Sequence, residues 1–349
     1  MAISFSCFGT TRQEEPVTQF RLEGEQGAFA EILDYGCVVR TLWVPDRQGR
    51  LVDVVLGYDT VAEYEDNDGY LGAFVGRHAN RIEKGKFCLN GTEYALAVNN
   101  GPNHLHGGLR GFNQYVFSSK VEGDRLILTR TSPHGEEGYP GTLIVTVTYS
   151  FVKNALMMTY DAVCDGDTVI NLTNHSYFNL NGGGSIGEHL LQIYSDTFTE
   201  NDADCLPTGK ILRVDDTPFD FRSAKPIGRD ISAEDINLKN GSGYDHNFIL
   251  GGTGLRTCAL LQSLESGICM EVLTTQPGIQ CYSANFLTTR KGKRGAEYHP
   301  RDAICLETQH WPNATSHPNF PSVVLSVGEA YHQETVYRFT VNNKQKGKK

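Results

Sequence analysis

Five short segments place most of the chain's chemistry-bearing side chains in surroundings otherwise poor in charge. They are Gly76-Arg-His-Ala-Asn-Arg-Ile82, Asn103-His-Leu-His-Gly-Gly108, Thr173-Asn-His-Ser-Tyr-Phe-Asn-Leu180, Gly243-Tyr-Asp-His-Asn-Phe248 and Ile304-Cys-Leu-Glu-Thr-Gln-His-Trp-Pro312. In the third, strand geometry sends His175, Tyr177 and Asn179 to one face and Phe178 to the other. In the last, Glu307 shares a face with Cys305 and Gln309 while Ile304 and Leu306 point away. Its carboxylate is therefore expected in a partly apolar cleft that raises its pKa. His104 and His106 are two apart, as a metal pair could be, but no clear third ligand accompanies them, and metal binding is not expected. Taken singly, Arg81 reads as a surface charge, Asp245 as a turn residue and Glu307 as half of an ion pair. Taken together with the histidines, Tyr177 and Phe286, they are the inventory of a polyol site. Hydroxyls want donors and acceptors, and sugar C–H faces want aromatic contact.

Holding such a set on alternating faces calls for strands, and the commonest period in the sequence is that of a strand. Leu143, Val145, Val147, Tyr149 and Phe151 alternate with Ile144, Thr146, Thr148 and Ser150, giving one apolar face and one mostly polar face with Ile144 as the exception. Similar runs recur at 30–44, 51–56, 125–130, 156–163, 268–275 and 323–327, punctuated by turn signals at Asp46–Gly49, Asn90-Gly91 and Asn240-Gly241. Helical candidates are few and short; Asp59–Glu65 can start with a cap and make one or two turns. The chain reads as all-β, one large β-sandwich over residues 1–343 followed by a basic, solvated tail at 344–349. Gly182–Gly187 fits G-x-G-x-x-G, but no long helix opens after it, so a loop between strands is expected and a dinucleotide is not.

The 349 residues include 31 basic and 41 acidic side chains, a net charge of -10, with no face-sized basic cluster. That argues against nucleic acid and favours a neutral or cationic small molecule. The nine cysteines form no CxxC pair, which reads as scattered core thiols in a reducing compartment. The start lacks a signal-peptide pattern, and no apolar run reaches about 18 residues. The expectation is a cytoplasmic protein with no membrane partner.

GRHANRI, NHLHGG, TNHSYFNL, GYDHNF, the stretch Gln276-Pro-Gly-Ile-Gln-Cys-Tyr-Ser-Ala-Asn-Phe286 and LETQHWP resemble the successive motifs of aldose 1-epimerases, the galactose mutarotases, in the same order from about Gly72 to Gly328. His78 stands where that family commonly has an aromatic residue, and Cys281 where it commonly has Phe. The resemblance implies a large antiparallel β-sandwich with a sugar cleft on a sheet face. It also implies that Glu307 is the catalytic base, His175 the general acid and His106 a second histidine near the sugar ring oxygen. Arg81 and Asp245 would hold ring hydroxyls, with Asn80 and Gln280 as further candidates for the same work. The substrate would be a free monosaccharide such as galactose or glucose, bound by a monomer or homodimer.

Inverting C1 of a hemiacetal requires the ring to open, rotate about C1–C2 and close on the other face. A carboxylate can take the anomeric proton while an imidazolium gives one to the ring oxygen, so no cofactor or metal is needed. At unperturbed pKa values of about 4.3 and about 6.5, both groups would have the required forms together only at weakly acidic pH. Two other readings stand beside this one. A glycoside hydrolase would pair Asp245 with Glu307 across a sugar, and a non-catalytic carbohydrate-binding protein would keep the contacts without the acid and base.

Overall fold

The computed structural model describes residues 3–342; the proposed tail at 344–349 lies outside them. Among the described residues the regular elements are almost all strands, paired antiparallel, with two short α-helices. A nine-stranded sheet runs in the order Ser118–Glu122, Arg125–Ser132, Leu143–Val152, Ala155–Cys164, Tyr331–Val341, Ile268–Thr274, Arg256–Gln262, Leu190–Ile193 and Lys225–Pro226. A six-stranded sheet runs Tyr177–Phe178, Ile304–Gln309, Gly278–Tyr282, Asp245–Ile249, Thr197–Asn201 and Pro207–Arg213. The amino-terminal part forms a five-stranded meander from Ile3–Thr10 to Leu51–Asp53.

The alternation over Leu143–Phe151 is realised as expected. Its odd-numbered residues are buried and Ile144 is 47% exposed. One apolar cluster runs through all three sheets, taking Leu22 and Val39 from the meander, Val147 and Met270 from the nine-stranded sheet, and Ile279 and Leu306 from the six-stranded one. Phe178 packs edge-on to Tyr337 at 4.7 Å between ring centroids. The Tyr337 hydroxyl donates to the Leu306 carbonyl at 3.0 Å, so a buried phenol bridges the two larger sheets.

The cap signal before residue 61 holds. Thr60 and Glu63 form a reciprocal capping box at the start of the helix Val61–Glu65. Asn90 and Gly91, both at positive φ, close the hairpin between Lys86–Leu89 and Thr92–Ala95. Residues 182–187 form a loop leading to the strand Leu190–Ile193, with no helix behind them. Asn240-Gly241 differs from its reading as a turn between strands: it ends a helix, Ile236–Gly241, capped by Asp235. Six residues with Leu238 as the one buried large apolar side chain are too few to show a helical period. No helix among the described residues is long and apolar enough to cross a membrane.

Candidate active site

The outward face of the six-stranded sheet forms a polar floor, and strand register builds it row by row. Tyr177 pairs with Cys305, Cys305 with Tyr282 and Tyr282 with Asp245; in the next row Glu307 pairs with Gln280 and Gln280 with Asn247. Successive side chains on a strand alternate, so these residues share one face while Phe178, Cys281, Ile304 and Leu306 enter the sandwich core. Gly278 belongs to the same floor: a Cβ there would lie 2.3 Å from Asn247 Oδ1, so the bare backbone makes room for the carboxamide. Loops form the walls, and the resulting cavity holds about 370 Å³, the size of a small-molecule site.

His175 sits at the break between the short strands Thr173–Asn174 and Tyr177–Phe178. Its ring stacks on Tyr177 at 5.0 Å and meets His106 edge-on at 5.3 Å. Nε2 lies 3.6 Å from Glu307 Oε1, with both side chains almost wholly buried. Burial pushes His175 down to about 4. Burial, reinforced by the Asp245 charge and opposed by Arg81, pushes Glu307 well above the ordinary carboxylate range, in the direction read from its strand neighbours. Glu307 Oε2 has no hydrogen-bond partner among the described residues, so it is free to accept from a ligand.

His106 enters from a loop that only glycine allows. Gly107 has φ +90°, and a Cβ there would fall 1.8 Å from the Gly76 carbonyl oxygen. The Asn80 backbone N–H donates to His106 Nδ1 at 3.1 Å. Burial keeps the ring well below its usual pKa, with the neighbouring His175 and Arg81 acting the same way. Neutral His106 therefore carries its proton on Nε2 and acts as a fixed donor. Arg81 Nε donates to Asn100 Oδ1 at 2.9 Å, and its guanidinium makes no ion pair among the described residues. Asp245 is raised by burial against the pull of Arg81 and of Gln280, whose Nε2 donates to Asp245 Oδ1 at 2.7 Å.

Of the sequence candidates, Glu307, His175, His106, Arg81, Asp245, Asn80, Tyr177 and Phe286 all line this cavity. Phe286 stands at its rim, 52% exposed. Gln280 does not line it; it lies beside Asp245 and reaches the cavity through that carboxylate. Asn179 leaves the set, donating instead to the Gly184 and Asp302 carbonyls. His104 also leaves: Nδ1 meets the Ala97 carbonyl and Nε2 the Tyr139 hydroxyl. Sequence reasoning missed Tyr70, whose ring lies 4.6 Å from that of His106, and Arg290, which pairs with Asp68 and bonds the Tyr58 hydroxyl at 3.1 Å on the cavity wall. The glycines at 69 and 72 around Tyr70 were its one signal of a constrained loop, and Arg290 had none.

Fold and cleft together define an antiparallel supersandwich of the galactose mutarotase kind, with an imidazole–carboxyl pair at the floor of a sugar-sized cavity. The chain belongs to the aldose 1-epimerase family, isomerases that interconvert the anomers of an aldose; the family's sequence profile matches residues 18–338. The likeness thus begins well before Gly72, where the motifs alone had placed it. Galactose mutarotase of Sus scrofa is 46% identical over 329 residues, covering 93% of this chain and 94% of that protein. Galactose mutarotase of Homo sapiens is 44% identical with the same coverage. The crystal structure of an aldose epimerase homologue from C. elegans superposes with a TM-score of 0.86 at 33% identity, covering 92% of this chain and 98% of the other.

One feature of the floor resembles a metal centre: His106, His175 and Glu307 each offer a ligand atom within 4.8 Å of the others. The hydrogen bond from Asn80 opposes that use. One His106 nitrogen accepts that N–H and the other carries the proton, so in this tautomer the ring's single in-plane lone pair is already engaged and not open to a cation. Exhaustive chelation and dialysis are expected to leave mutarotation intact. Activity that vanished and returned only with a divalent ion would overturn this assignment of the His106 proton.

Proposed function

We propose that this chain interconverts the α and β anomers of free aldohexoses, galactose and glucose among them, as one catalytic domain. Glu307 takes the proton of the anomeric hydroxyl while His175 gives one to the ring oxygen; after rotation about C1–C2 the transfers reverse. The observation that carries this reading is the buried His175–Glu307 pair, 3.6 Å apart on the cavity floor. Arg81 and Asp245 hold ring hydroxyls, Asn80 assists them, and His106 donates from Nε2 toward the ring oxygen. Tyr177 and Phe286 offer aromatic surface to the sugar. The names of the vertebrate relatives support galactose as a substrate. Nine free cysteines support a reducing, cytoplasmic setting.

The hydrolase reading is not favoured. Asp245 and Glu307 project from the same sheet face in adjacent rows, separated by the single strand that carries Gln280 and Tyr282, whereas a glycosidase sets its carboxyls across the scissile bond. A non-catalytic binder leaves unexplained an acid and a base buried together.

The working form is the one-proton pair with that proton on His175; it is the minor isomer of the pair, since burial favours the proton on Glu307, and both isomers titrate together. Burial opposes charge on both members, so the doubly protonated form yields its first proton from His175, near 4. The second proton leaves at the raised value of Glu307, which sets the alkaline limb. Initial rates on freshly dissolved α-D-galactose, followed by polarimetry, are expected to give a kcat/KM bell with its acid limb near 4. Asp245→Asn should move the alkaline limb to lower pH, because the Asp245 charge helps to hold the Glu307 proton. No acceleration of the approach to optical equilibrium would sink the function; an unmoved limb would sink the assignment of that limb to Glu307.

A further inference from the structure

The acid–base reading uses one edge of His175 and leaves the other without a role. An imidazolium that gives its proton from Nε2 keeps a second proton on Nδ1 throughout the cycle, first as the cation and then as the Nδ1–H tautomer. Whatever faces Nδ1 must therefore accept a hydrogen bond at every step. The atom there is Cys305 Sγ, at 3.4 Å and fully buried.

Cys305 lies two residues before Glu307 on the same strand and on the same face. It also pairs in register with Tyr177, whose ring stacks on His175. One pleat thus presents the base to one edge of the imidazole and the thiol to the other. Burial, reinforced by the Glu307 charge, pushes the thiol well above its usual pKa, so the sulfur stays protonated. A neutral thiol is a weak acceptor.

We propose that Cys305 is the positioning residue of the acid: its sulfur accepts the Nδ1–H of His175, turns Nε2 toward the sugar, and leaves the Nε2 proton loosely held. A carboxylate in that place would stabilise the imidazolium and tighten its hold on the proton that must pass to a feebly basic ether oxygen. An aliphatic side chain would leave Nδ1–H buried without a partner and the ring free to turn.

This inference rests on the assignment of His175 as the acid, and the experiment separates the two. Nitrogen-15 spectra of histidine-labelled protein, with His175 identified by its loss in His175→Asn, report the tautomer without reference to turnover. The expected result is Nδ1–H in the wild type and loss of that preference in Cys305→Ala. In polarimetry Cys305→Ala should lower kcat about 10-fold with KM unchanged. Cys305→Ser should restore most of kcat and raise the acid limb, since a hydroxyl oxygen accepts more strongly than sulfur. Circular dichroism checks that each variant is folded. An Nε2–H tautomer in the wild type, or wild-type kcat and pH profile in Cys305→Ala, would overturn the proposal. Near-normal kcat in His175→Asn would instead remove the acid assignment itself, while the tautomer still reports on the contact with Cys305.

Discussion

Glu307→Gln and His175→Asn are each expected to lower kcat by about 10²- to 10⁴-fold while the protein stays folded, the usual span of a lost general acid or base. Glu307→Gln keeps the shape of a side chain that is almost wholly buried, and His175→Asn keeps a polar group while giving up part of the ring, so circular dichroism is used to confirm that the effect is chemical rather than a collapse of the floor. The first leaves a carboxamide that cannot take the anomeric proton, and the second leaves one that cannot protonate the ring oxygen. Because each group is of little use without its partner, the double variant should be hardly worse than the poorer single one. Arg81→Ala and Asp245→Ala should raise KM at least as visibly as they lower kcat, since they are assigned to hydroxyls held throughout the reaction. The four-member cycle is measured by polarimetry on α-D-galactose. A near-normal kcat for Glu307→Gln would mean that the base lies elsewhere.

The second large effect falls on stability and comes from Arg77. Its guanidinium is 2% exposed and donates to the Ser132 hydroxyl and to the carbonyls of Ser132, Pro133, Pro140 and Gly141. Burial pushes its pKa down to about 10, so it remains charged at neutral pH, solvated by carbonyl dipoles rather than by a carboxylate. Arg77→Met fills part of the volume but strands those acceptors. A single orphaned acceptor costs about 1–3 kcal/mol. The expected loss is therefore about 3–5 kcal/mol, the scale of a broken buried charge network. Urea unfolding followed by circular dichroism measures it. A loss below about 1 kcal/mol would mean that water or a shifted loop satisfies the four carbonyls. Arg77 also anchors the segment that carries Asn80 and Arg81, so kcat and KM should worsen with the lost stability.

How far the site was legible follows from where each residue sits. Glu307 and Tyr177 were readable because a strand sorts its side chains by parity, and the sequence states parity directly; Asp245, which taken singly read as a turn residue, came only with the family motif. It does not state which strands are neighbours. That Gln280 faces Glu307 on one side and Asn247 on the other is a matter of register between segments distant along the chain. Where the backbone departs from the pleat, parity misleads. His104 and His106 are two apart, yet His106 has φ +50°, and the left-handed step turns its ring into the cleft while His104 goes to Tyr139. Tyr70 comes from a loop and Arg290 from the two-residue strand Arg290–Lys291, neither long enough to show a period. The apolar side of the sandwich was the most legible part, because Leu143–Phe151 repeats one physical demand five times.

The floor and the core are two sides of the same strands, and this constrains how such a protein can change. One residue inserted before Leu306 within Ile304–Gln309 would rotate the Glu307 carboxyl into the apolar layer and bring Leu306 to the sugar. The same slip would pull Leu306 away from the contacts that join the sheets. Catalysis and folding would fail in one event, so length variation in the floor has no partial outcome for selection to act upon. The walls are under no such rule. Loops bearing Tyr70, Asn100 and Phe286 can lengthen or shorten without inverting anything, which makes the rim the place where preference among sugars can drift while the chemistry beneath it stays unaltered.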